Sequence, residues 1–62
     1  MTKSNRIESS KAMYYAAMGH IDIAARTISA CIRSAKSVKE RNELIVEAMG
    51  YPAIVNHPEF II

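Results

Sequence analysis

The chain predicts an all-α fold: three short helices in a compact bundle or orthogonal array, with an extended apolar C-terminal tail packing on them. Three observations carry this expectation. Apolar residues recur at spacings of three and four, each recurrence opens on a capping signal, and glycine or proline stands where each stops. At 62 residues the whole chain, 1–62, reads as one domain. Domains of this size bury only about 60 % of the surface their unfolded chains expose.

The first helix is predicted over about 6–18. Asn5-Arg6-Ile7-Glu8 places a cap residue three positions before a glutamate able to reach back to the cap amide, and Gly19 supplies the left-handed residue that ends a helix. Ile7, Tyr14, Ala17 and Met18, with Met13 beside them, form its expected inner face; Arg6, Glu8, Ser9 and Lys11 its wetter side. The second helix is predicted over about 23–36, capped by Asp22, whose charge suits the positive end of the helix dipole. Its buried stripe is Ala24, Ile28, Cys31, Ile32 and Ala35. The third, over about 38–49, opens on Ser37-Val38-Lys39-Glu40, a full capping box. Val38, Ile45 and Met49, joined by Leu44 and Ala48, are its expected inner face, Gly50 its end, and Tyr51-Pro52 a bar to continuation.

The tail, 51–62 (YPAIVNHPEFII), has seven apolar or aromatic side chains in twelve and finishes on Phe60-Ile61-Ile62. Such a segment belongs in a groove, either of its own core or of another surface. Alanines 12, 16, 17, 24, 25, 30, 35 and 48 permit close helix approach but contribute little apolar area each. Large apolar side chains are too few for a comfortable monomer. One cysteine cannot form an internal bridge, and Cys31, His20 and His57 have neither the number nor the spacing of a structural zinc site, so oligomerisation is the expected support.

Half the residues are hydrophobic and 23 % charged, a globular balance rather than a disordered one. No apolar run approaches a membrane span and none follows the Met-Thr-Lys start, so a reduced cytoplasmic setting and a complete small gene product are expected. Charge is uneven. Residues 1–37 carry Lys3, Arg6, Lys11, Arg26, Arg33 and Lys36 against Glu8 and Asp22, a net +4; residues 38–62 carry Lys39 and Arg41 against Glu40, Glu43, Glu47 and Glu59, a net −2. Opposite signs suit pairing within or between subunits as well as an external anion.

Residues 12–31 resemble one helical hairpin of a repeat protein. Ala16-Ala17-Met18-Gly19-His20-Ile21-Asp22-Ile23 is similar to the ankyrin pattern of paired alanines, Gly-His, then an acid before an aliphatic, with a one-residue departure in spacing and no Thr-Pro-Leu-His opening. Tyr15, Gly19 and Ala24 resemble tetratricopeptide spacing. The pattern occurs once where solenoids stack about three units, so the resemblance implies a helix-turn-helix hairpin and no more. Arg26-Thr27-Ile28-Ser29 resembles the recognition-helix wording of DNA-binding helix-turn-helix proteins, but Gly19 to Ile28 spans nine residues where those proteins use about six.

Candidate chemistry is thin. Cys31 lies in an apolar stripe, where a thiol is structural. His20 beside Asp22 and His57 in Asn56-His57-Pro58 sit in turns, and no third group converges on either. Glu40, Glu43 and Glu47 step along one helix side, as a solvated or pairing face does. Tyr14 and Tyr15, with Arg26 or Arg33, could stack on a nucleotide, although no glycine-rich phosphate loop is present.

The expectation is therefore a non-enzymatic, cofactor-free and metal-free factor that binds a partner protein, as a homo-oligomer and away from membranes. Its contacts are expected at Tyr15, Ile21, Arg26, Arg33, Phe60, Ile61 and Ile62, since aromatic and Arg anchors dominate such surfaces. Chains of this design occur among accessory and inhibitory factors of phages and plasmids, an argument from kind. Two alternatives stand beside it: a dimeric nucleic-acid-binding regulator with Lys3, Arg6, Lys11 and Lys36 among its phosphate contacts, and an oligomer sequestering an anionic nucleotide-like ligand at Tyr14 or Tyr15.

Overall fold

A computed structural model of the chain describes residues 2–62. Four helices follow in order: α1 (Lys3–Ala17), α2 (Ile21–Arg33), α3 (Val38–Met49) and the single turn α4 (Pro52–Val55). No strand occurs among the described residues. The all-α expectation and the three long helices hold, and their ends show where tertiary contacts overrule local signals.

The helix α1 starts a turn earlier than its Asn5 signal suggests. Thr2 is the cap, its hydroxyl accepting the Asn5 N–H at 3.2 Å, and Asn5 is buried within the helix. The reason is tertiary: with Thr2 at the cap, its own backbone N–H donates to the Glu40 carboxylate of α3. At the other end Gly19 takes φ 88°. Paired bonds from His20 N–H to the Tyr15 carbonyl and from Gly19 N–H to the Ala16 carbonyl complete a Schellman turn there.

That turn leads straight into α2, so Asp22 falls in its first turn instead of capping it. Its carboxylate lies 3.6 Å from Arg26. The helix stops at Arg33 rather than near residue 36 because the Lys36 N–H is drawn to the Glu40 carboxylate at 2.8 Å. Ser37 caps α3 as expected, accepting the Glu40 N–H at 3.1 Å. Gly50 keeps a right-handed φ of −69°, so the stop comes from Tyr51-Pro52. Pro52 opens α4, a turn the tail was not expected to contain, since proline's missing N–H costs nothing at a first helical position.

Packing centres on α2, against which α1, α3 and α4 all lie. Its stripe of Ala24, Ala25, Ile28, Cys31 and Ile32 is buried with Ala12, Leu44, Ala48 and Ile54, and Ala35 and Phe60 pack at the margin. The second helix therefore faces inward as its periodicity predicts.

The faces of α1 and α3 do not. On α1 the buried residues are Asn5, Ser9 and Ala12, while Ile7, Tyr14 and Met18 are exposed. On α3 Glu40, Leu44 and Ala48 are buried, while Val38 and Met49 are exposed. Small side chains let α1 approach α2 closely, with Ala12, Ala24 and Ala25 fully buried. Polar groups then close the α1–α3 seam: the Ser9 hydroxyl donates to Glu47 and the Thr2 N–H to Glu40. Both contacts pair residues 38 apart in sequence, which fixes the two helices side by side in a parallel register. Burying Ile7 and Tyr14 instead would turn these groups to water and open a wider gap against α2.

Glu40 is the polar junction of the fold. Its carboxylate accepts the backbone N–H groups of Lys36 and Thr2, joining the α2–α3 loop, the start of α1 and the start of α3. Among the described residues no buried side-chain nitrogen or oxygen lacks a partner. The Lys36 and then the Thr2 amide hold the Glu40 carboxyl below the ordinary carboxylate range, against the opposing effect of desolvation.

Two outcomes follow. Ile28→Ala lowers the unfolding free energy by about 3 kcal/mol in urea titration, since the residue is fully buried at the centre of the stripe. Because the Glu40 carboxyl titrates lower folded than unfolded, its contribution is complete above about pH 4.3 and is lost as pH falls through the folded value. Melting temperatures of wild type and Glu40→Gln should therefore differ near neutrality and converge in acid.

Candidate functional site

Cys31 is buried, and desolvation, followed by the charges of Glu8, Glu40 and Glu47, pushes its thiol up, away from the nucleophilic thiolate. The His57 Nδ1 accepts the Glu59 N–H at 3.0 Å and so serves the tail turn. No group of three or more His, Cys, Asp or Glu side chains among the described residues could hold a metal ion. No helix of the described residues is long and apolar enough to cross a membrane.

The surface is unusual in what it leaves outside. Ile7, Tyr14, Met18, Ile23, Val38, Val46, Met49, Tyr51, Ile61 and Ile62 are all exposed, whereas the large apolar side chains buried in the core are Ile28, Ile32, Leu44 and Ile54. Single exposed hydrophobics are ordinary, but grouped ones mark contact sites. Here all but Ile23 and Tyr51 fall into three groups.

The first lies along α1, where Ile7 and Tyr14 share an open groove with Arg6, Ser10, Lys11 and Tyr15, and Met18 extends the same side. Tyr14 is 65 % exposed and Tyr15 half-buried against the core, with ring centroids 6.5 Å apart. The inward and outward tyrosines are thus reversed from the sequence expectation, because α1 is turned the other way. The cations beside this pair are Arg6 and Lys11, not Arg26 or Arg33. Lys11 also pairs with Glu8 at 3.4 Å.

The second group lies along α3, where Val38 and Val46 line a groove with Lys39, Asn42, Glu43 and Glu47, and Met49 follows on the same side. Sequence reasoning placed Val38 and Met49 in the core and did not single out Val46. The signal was available: residues 38, 42, 46 and 49 share one side at helical spacing. What the sequence withholds is which of two apolar sides of α3 meets α2.

The third group is the tail, held by its backbone. The Ile61 N–H donates to the Ser29 hydroxyl at 3.0 Å, its carbonyl accepts from Arg33, and the Ser29 hydroxyl itself donates to the Ala25 carbonyl at 2.6 Å. Phe60 turns inward onto the core cluster, while Ile61 and Ile62 are 60 % and 53 % exposed. Of the expected contact residues, Arg26, Arg33, Ile61 and Ile62 therefore lie at the surface, Ile21 and Tyr15 are half-buried, and Phe60 belongs to the core margin. Lys3 and Lys36 are exposed at the start of α1 and in the α2–α3 loop, so the basic residues are scattered over several faces. The chain matches no protein-family model, no curated protein and no solved structure.

The tail's division of labour is measurable. Phe60→Ala lowers stability by about 2 kcal/mol for a half-buried ring, whereas Ile61→Ser with Ile62→Ser leaves the melting temperature nearly unchanged. Equal destabilisation by both would show that the two isoleucines also pack inward.

Proposed function

We propose that this chain is a non-enzymatic protein-binding factor, accessory or inhibitory in kind, that engages a partner protein through its exposed apolar faces and operates as an assembly of identical subunits. The observation that carries the reading is the inverted distribution of large apolar side chains, ten exposed and four fully buried among the described residues. A lone small domain gains nothing from that arrangement, while a protein whose surfaces are covered on assembly recovers the burial. Arg33, bonded to the Ile61 carbonyl, and the exposed Ile61 and Ile62 supply the Arg and aliphatic mixture found in interface cores. The tail is preorganised, because both backbone groups of Ile61 are already bonded to α2, and little ordering cost remains at docking.

A nucleic-acid role draws less support. Arg26 pairs with Asp22, Lys11 with Glu8, and Arg33 with the Ile61 carbonyl. These cations do not form the continuous stripe that phosphate binding uses.

The test is affinity capture from cells that make the protein, with wild type beside Ile61→Lys, Ile62→Lys. Wild type should recover a discrete protein in fixed ratio, with an affinity that varies little with salt, and the double variant should lose it while melting normally. Recovery of nucleic acid with a steep salt dependence, or of the same protein by both forms, would sink the reading.

A further inference from the structure

Resting on the protein-binding reading, the outward faces of α1 and α3 are complementary to each other. At about 100° per residue, Ile7, Tyr14 and Met18 fall within about 40° of one another on α1, and Val38, Val46 and Met49 within about 80° on α3. In each set the first and last residues are eleven positions apart, about 16 Å of helix. The α1 groove is flanked by Arg6 and Lys11. The α3 groove is flanked by Glu43 and Glu47, with Lys39 at its N-terminal end. Glu47 accepts the Ser9 hydroxyl, a bond that leaves its charge in place.

We propose that α1 of one copy docks antiparallel on α3 of a second copy. In that direction Ile7 meets Met49 and Met18 meets Val38, and Val46 fills the gap between Ile7 and Tyr14 in the manner of a knob in a hole. Tyr14 comes opposite Asn42, a partner for its hydroxyl. Lys11 falls beside Glu43, and Lys39 is carried to the far end. A parallel docking would set Arg6 against Lys39.

The contact is heterologous. Within one molecule α1 and α3 meet through Thr2–Glu40 and Ser9–Glu47, and each apolar face lies across its helix from that seam. One copy therefore cannot offer both faces to the same neighbour, and assembly proceeds head to tail, each subunit using α1 toward one neighbour and α3 toward the next.

Light scattering of wild type, Tyr14→Asp and Val46→Asp over a broad concentration range tests this. Wild type should exceed the mass of two copies, and each variant alone should stay at one. An equimolar mixture of the variants should stop at two copies, because one intact α1 face and one intact α3 face remain to pair. Both sites are exposed, so circular dichroism should be unchanged; Met18→Glu and Met49→Glu form a second pair should either variant fail to fold. A monomeric wild type, a mixture that stays monomeric, or Val46→Asp that assembles as wild type does would overturn the proposal. Partner capture that persists with a monomeric wild type would leave the protein-binding reading standing and reject self-assembly alone.

Discussion

Everything in this fold leans on one buried stripe. Ile28 and Ile32, with Ala24, Ala25 and Cys31 around them, give α2 a face that α1, α3 and α4 all pack against. With so few large side chains available, close approach substitutes for bulk, and the fully buried alanines 12, 24, 25 and 48 permit it. The cost of this solution appears at the surface. Where helices meet through small residues some large ones turn elsewhere, and for Ile7, Tyr14 and Met18 on α1 and Val38, Val46 and Met49 on α3 elsewhere is water.

Polar groups decide the arrangement where apolar ones are indifferent. Buried hydroxyls and carboxylates are tolerated only when bonded, so Glu40, Ser9 and Ser29 each constrain geometry more sharply than a leucine would. Glu40 gathers one amide from the adjoining loop and one from the start of α1, Ser9 fixes the α1–α3 register through Glu47, and Ser29 links the tail to the middle of α2. These contacts connect residues 30 or more positions apart, apart from the local Lys36 bond. Their loss would release whole segments, not single side chains.

A marginal core beside a well-formed apolar exterior links stability to binding. Any partner that recognises only the folded chain adds to its stability by mass action, and covering the α1 and α3 faces would do so in a concentration-dependent way. The tail fits the same logic: Phe60 helps complete the core while Ile61 and Ile62 stay outside on a backbone already fixed. Under the proposed protein-binding role such a surface would bind through few, rigid anchors, and its specificity would come from the cations and carboxylates at the rims.

The sequence by itself determined the all-α class, the three long helices, the turn at Gly19, the Ser37 cap and the inward face of α2. Each rests on local geometry: a left-handed residue, a hydroxyl near an amide, an apolar stripe with no rival on the same helix. It also made the tail legible as a packed segment, though not its α4 turn. Only the tertiary structure decided the orientation of α1 and α3, because each of those helices has two credible inner sides. Periodicity ranks Ile7 and Tyr14 above Asn5 and Ser9 by hydrophobicity, yet close packing on α2 and bonds to Glu40 and Glu47 reward the smaller, polar side. The candidate contact surface followed from that choice, since Tyr14, Val38, Val46 and Met49 became surface only when the seam between α1 and α3 was closed by groups 38 residues apart.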